Sequence, residues 1–68
     1  MTLERLNREN LRRIIFEDGR SLRKIVQQAG LSYNCGQKLV NSNQRFITPA
    51  TVDALSRVLH VDREELVL

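Results

Sequence analysis

The chain has 68 residues, 11 Lys+Arg against 8 Asp+Glu for a formal charge of +3, and an apolar fraction of 41%. That length admits one domain, residues 1–68, whose core must come from compact local packing, with no room for a large enzyme site. One cysteine (Cys35) and one histidine (His60) exclude an internal disulfide and a zinc cluster, no apolar run approaches the roughly 18 residues of a membrane span, and residues 1–13 hold no apolar signal segment. The expectation is a reduced, cytoplasmic, non-enzymatic domain with no metal, cofactor, membrane or small-molecule partner.

Glycine, proline and capping residues divide the chain into five intervals that read at helical period, so an all-α, five-helix domain is expected. The first helix is predicted from about Leu3 to Glu17. Leu3, Leu6, Leu11, Ile14 and Ile15 form its apolar stripe, Gly19 terminates it, and Phe16 stands beside the stripe. Ser21 caps a second helix in which Leu22, Ile25, Val26 and Ala29 recur at i, i+3, i+4, i+7 before Gly30. Ser32 caps a third, about 33–41, with Gly36, Leu39 and Val40 inward and Asn34, Gln37, Lys38 and Asn41 outward. After a polar connector, Ser42 to Arg45, the Phe46-Ile47 pair is expected to tuck inward. Thr48 followed by Pro49 starts a fourth helix buried through Val52, Leu55, Val58 and Leu59. Asp62 and Glu65 have capping-box spacing and predict a short last helical turn bearing Leu66, Val67 and Leu68. No period-2 alternation or hairpin signal appears, so no strand is predicted.

Charge is unevenly placed along these elements. Residues 1–18 balance four Arg (5, 8, 12, 13) against Glu4, Glu9, Glu17 and Asp18. Residues 19–52 carry Arg20, Arg23, Lys24, Lys38 and Arg45 with no acid, whereas residues 53–68 set Arg57 and Arg63 against Asp53, Asp62, Glu64 and Glu65. A like-charged stretch is often only a solvated face; the elements that carry it decide between that and a polyanion site.

Only Gly30, Leu31 and Ser32 separate the second helix from the third, and so short a corner makes two helices cross steeply, as in a helix-turn-helix. Arg23 and Lys24 lie in the first turn of the second helix, where the dipole disfavours cations and an external phosphate would suit both them and the free N–H groups. Asn34, Gln37, Lys38 and Asn41 project from one side of the third helix. Amides at this spacing can pair with adenine edges and a lysine can reach guanine, with Tyr33 at the leading turn to stack on a sugar or touch a thymine methyl. A face kept only for solubility would ordinarily carry Glu–Lys pairs, and this one has no acid. The connector from Asn41 to Arg45, including Asn43, suits phosphate contact beyond a groove.

The run Ser21-Leu-Arg-Lys-Ile-Val-Gln-Gln-Ala-Gly-Leu-Ser32, with Gln37-Lys38-Leu39, Thr48-Pro49, Leu55, Leu59 and Val61, resembles the Cro/lambda-repressor-type (XRE-like) helix-turn-helix family over about residues 10–67. The resemblance implies a five-helix DNA-binding domain of a bacterial or phage transcription regulator. It would be a repressor, commonly a homodimer, whose third helix enters the major groove of an operator duplex. Carried across by position, Tyr33, Asn34, Gln37 and Lys38 would face bases. Ser32, Asn41, Asn43 and the first turn of the second helix, with Arg23 and Lys24, would touch phosphates, joined by Arg45 from the connector. The chain departs from the family at Leu22, where glutamine is frequent, at Val26, where alanine is preferred, and at Gly36, where valine or isoleucine is usual. Val26 and Gly36 face each other in the family, so the pair reads as a volume exchange.

Cys35 reads as a small helical filler, with a redox switch as the alternative, and His60 as a helix C-terminal cap. Phe16, Val67 and Leu68 are candidates for a dimer patch. A second function from another class stays open: a protein-interaction module, antitoxin or antirepressor, gripping a partner through Phe16 and Leu66–Leu68.

Overall fold

The computed structural model describes residues 2–68. Its elements are strand β1 (Glu4–Arg5), helices α1 (Arg8–Asp18), α2 (Leu22–Ala29) and α3 (Tyr33–Asn41), strand β2 (Phe46–Ile47), helix α4 (Pro49–Leu59) and a 3-10 turn at Arg63–Glu65. The all-α, five-helix expectation is therefore corrected to four α-helices and a small two-stranded antiparallel sheet among the described residues.

Both ends of the chain account for the correction. The predicted first helix starts five residues late because Asn7 caps it, its side chain accepting from the Asn10 N–H at 3.2 Å. Residues 4–6 are extended instead: Glu4 pairs with Ile47, Arg5 with Phe46, and Leu6 bridges Val67. At the other end, Asp62 makes no side-chain cap, so the predicted capping box does not form and only a 3-10 turn results. The Leu68 N–H donates to the Arg5 carbonyl at 2.9 Å and the Asn7 N–H to that of Leu66 at 2.9 Å, which sets β1 between β2 and residues 66–68. The inner face of this sheet carries Leu6 and Ile47, both buried. By alternation Leu3, Arg5, Phe46 and Leu68 fall on the outer face, and all four are exposed. Ile47 thus tucks inward as expected, whereas Phe46 does not.

The helical reading of the middle of the chain holds. Ser21, Ser32 and Thr48 cap α2, α3 and α4, each side chain accepting from a backbone N–H three residues on. Gly30 ends α2 at φ 76° with a Schellman arrangement: its N–H donates to Gln27 and that of Leu31 to Val26. His60 ends α4 in the left-handed region at φ 57°, the position and role expected of it. Leu6, Leu11, Ile14, Ile25, Leu39, Ile47, Val52, Leu55, Leu59 and Leu66 form one core at the centre of these elements. No helix among the described residues is long and apolar enough to cross a membrane.

Arg20 fastens three helices. Its guanidinium donates to Asp18 at 2.6 and 2.9 Å, to the Val58 carbonyl at 2.8 Å, and to Gln28. This hydrogen bonding holds the Asp18 carboxyl below its ordinary value of 3.8. A carboxyl with a depressed folded pKa binds protons more readily when unfolded, so its contribution is complete above the unfolded value and is lost as pH falls through the folded one. Thermal melts across pH should show Asp18→Asn melting below wild type at neutral pH, with the difference closing below about pH 4; a constant difference would contradict the pairing.

At the α2–α3 crossing, Val26 is buried and Gly36 faces it. A Cβ built on Gly36 would lie 2.5 Å from Val26 Cγ1 and 3.4 Å from Leu22 Cδ1. Val26 and Gly36 thus face each other as expected and share one volume, and Leu22 packs into the same corner. Gly36→Val should overpack the crossing by about 1–3 kcal/mol. Gly36→Ala should also lower Tm, although alanine improves helix propensity by about 1 kcal/mol. In a Val26→Ala background the same substitution should instead raise Tm. An unchanged sign between the two backgrounds would show that the residues do not share this space.

Candidate functional site

The turn Gly30-Leu31-Ser32 presents α3 beside the first turn of α2, and their exposed side chains meet. The Arg23 guanidinium lies over the Tyr33 ring, 4.4 Å from its centroid. Gln37 Nε2 donates to the Tyr33 hydroxyl at 2.5 Å, and Asn41 Nδ2 donates to Gln37 Oε1 at 2.6 Å. These residues stand at i, i+4 and i+8 on α3, so one polar ladder runs the length of its outer face and is joined to α2 at the top.

The ladder orders the side chains without exhausting them. A primary amide has two donor hydrogens and two acceptor lone pairs. Gln37 spends one of each, which leaves it a donor and an acceptor, the set that the adenine edge requires. Arg23, stacked by its face, keeps the N–H groups of its edge for an oxygen acceptor. Asn34 and Lys38 are exposed on the same helix. Asn41, expected at a phosphate, belongs to the ladder and continues the line of Tyr33 and Gln37.

The remaining expected positions frame this face. Lys24 is exposed in the first turn of α2, which contains no acid. The Lys24 N–H is taken by Ser21, while those of Leu22 and Arg23 have no acceptor within the helix. Ser32 Oγ accepts from the Cys35 N–H at 3.1 Å and keeps its own hydrogen free to donate outward. Asn43 and Arg45 are exposed in the connector, and neither side chain is engaged among the described residues. Arg20 leaves the set of available cations because Asp18 pairs with it. Arg23, Lys24, Lys38 and Arg45 have no carboxylate partner among the described residues.

Two residues essential to this geometry carry no recognisable sequence signal. Arg8, at the start of α1, donates through Nε to the Leu39 carbonyl at 3.1 Å and through Nη2 to the Gln44 carbonyl. It thereby holds the C-terminal end of α3 and its connector with one cation, favourably placed at the negative end of the helix. Gln44 completes the brace, with Nε2 donating to the Phe46 carbonyl at 2.8 Å. In the sequence both look like ordinary surface residues, since their partners are backbone carbonyls up to 36 positions away.

Phe16, on α1, adjoins this face at its Asn41 end. It is 85% exposed and borders a cleft of about 230 Å³ with Arg12, Ile15, Leu22, Val40 and Asn41. The expected grouping of Phe16 with the C-terminal residues breaks up: Leu66 is fully buried, Val67 half-buried, and Leu68 lies on the small sheet. Comparisons with family models, curated proteins and solved structures found no match to the chain.

Removing the Arg8 brace should loosen α3 selectively. In Arg8→Ala, amide hydrogen exchange should accelerate across residues 39–45 by about the tenfold that losing roughly 1.4 kcal/mol of charged hydrogen bonding implies. Protection in α4 should be retained. Uniform acceleration along the chain would instead make Arg8 a general stabiliser.

Proposed function

We propose that this protein is a sequence-specific double-stranded DNA-binding transcription regulator, a repressor by operator occupancy, that reads the major groove with α3. The observation that carries the reading is the outer face of α3: Tyr33, Asn34, Gln37, Lys38 and Asn41, without a carboxylate, and ordered by its own ladder. Asn34 and Gln37 would pair with adenine edges, Lys38 with guanine, and Tyr33 with a sugar or thymine methyl. Arg23, Lys24 and Ser32, with the connector residues Asn43 and Arg45, would contact phosphates on either side. The resemblance of residues 21–32 to the helix-turn-helix of Cro/lambda-repressor-type proteins supports the same reading, without the five-helix frame. The protein would act in the cytoplasm, as two copies on half-sites about one helical turn apart.

Selection of bound duplexes from a random pool, followed by footprinting, tests the reading. A recovered consensus with paired half-sites supports it, and an unenriched pool contradicts it. With roughly three to five phosphate contacts per subunit, the log–log slope of affinity against salt should be on the order of −5 to −9 for two subunits. Lys38→Ala or Gln37→Ala should cost about 1–3 kcal/mol on the consensus and little on unrelated duplexes. Arg23→Ala should weaken all duplexes alike; loss of discrimination in Arg23→Ala but not in Lys38→Ala would reverse these roles.

The exposed Phe16 beside its apolar cleft favours a second reading, a protein-interaction module of the antitoxin or antirepressor kind. Phe16→Ser separates the two, since it leaves duplex binding intact if α3 is the working surface.

A further inference from the structure

We propose that the outer face of the small sheet is a self-association surface, covered in solution by the same face of a second copy. Three of the five exposed large apolar residues of the described chain lie on it: Leu3 at 50% exposure, Phe46 at 47% and Leu68 at 76%. Phe46 is opposite Arg5 across β1–β2, and the Leu6–Val67 bridge sets Leu68 opposite Arg5 on the other side. Leu3 is two residues from Arg5 along the same strand. An apolar ring thus surrounds a single cation that forms no ion pair among the described residues.

Charge complementarity selects the occupant. Asp62, Glu64 and Glu65 are exposed, form no ion pair among the described residues, and immediately precede the strand segment that carries Leu68. A two-fold axis through the sheet face brings these carboxylates of one copy toward Arg5 of the other, and the reverse, while the apolar side chains interdigitate. Two copies are thus complementary in charge across this face. The cations of α2 and α3 do not belong to it, although Arg45 of the connector borders it beside Phe46. With only three apolar side chains in the patch, the dimer should be weak, with Kd on the order of 0.1 mM. This supplies the contact between the two copies invoked on a duplex, and in that sense it rests on the DNA-binding proposal.

Sedimentation equilibrium without nucleic acid, across about 10 μM to 1 mM, tests it independently of DNA binding. Wild type should pass from monomer to dimer over this range. Leu68→Lys should raise Kd at least about tenfold with Tm unchanged, as expected for an exposed side chain whose strand pairing is through its backbone. Arg5→Glu and the double variant Glu64→Arg/Glu65→Arg should each fail to dimerise alone and should associate when mixed, because only the mixture restores opposite charges at both contacts. Wild type that stays monomeric throughout overturns the proposal, whatever its affinity for DNA. A dimer indifferent to Leu68→Lys, or a mixture no tighter than its components, overturns it equally.

Discussion

The close crossing of α2 and α3 at Gly36 is the constraint on which the working surface depends. Val26 occupies the space a side chain at position 36 would need, so the two helices approach as near as backbone against side chain allows. The left-handed turn at Gly30 bends the chain sharply enough for that approach, and the Ser32 cap starts α3 at once. With the crossing closed, Arg23 reaches the Tyr33 ring, and the ladder through Gln37 to Asn41 follows along α3. Core packing, helix geometry and the order of the exposed polar face are thus one arrangement. A glycine in the middle of a helix, unfavourable by propensity, here makes room for Val26 at the crossing.

Cations serve two distinct purposes in this fold. Arg8, Arg20 and Arg63 act as internal fasteners, their guanidinium forks joining elements distant in sequence: Arg8 holds α3 and its connector, Arg20 joins the end of α1 to α2 and α4, and Arg63 joins Glu4 of β1 to Asp53 of α4. Arginine suits this task because its planar fork addresses two or three acceptors at once. Arg23, Lys24, Lys38 and Arg45 have no carboxylate partner among the described residues around α3. Arg20 and Arg63 are neutralised by carboxylates as they fasten, whereas the cations of α2, α3 and the connector place unneutralised charge around one helix.

Much of this was legible in the sequence. The caps Ser21, Ser32 and Thr48, the glycine turns and the inward side of α3 follow from spacing and side-chain type alone, whereas the Val26–Gly36 pairing is expected only through the resemblance to the helix-turn-helix family. The small sheet does not, because two-residue strands are too short to display an alternating pattern. Leu3 and Leu6 also fit the i, i+3 stripe of a helix that in fact begins at Arg8. The same short-range logic misread Asp62 and Glu65, whose spacing suits a capping box, while the backbone after Glu65 extends to pair with β1. Of the candidate site, residue types and spacing identified the face of α3 but not its internal order. The hydrogen bonds among Tyr33, Gln37 and Asn41 and from Gln44 to the Phe46 carbonyl depend on rotamers, and the Arg8 brace on long-range contacts to backbone carbonyls. Neither leaves a local trace.

The central claim is that the outer face of α3 meets the edges of base pairs. Side-chain amide groups report on this directly, since Asn34, Gln37 and Asn41 each give a resolved pair of nitrogen-bound proton signals in a labelled sample. Titration with a duplex recovered by selection should shift these signals and produce intermolecular proton contacts from Gln37 and Tyr33 to base protons of the major groove. Shifts confined to the cleft that Phe16 shares with Asn41 or to the small sheet, with the amides of Asn34 and Gln37 unmoved, would contradict the account.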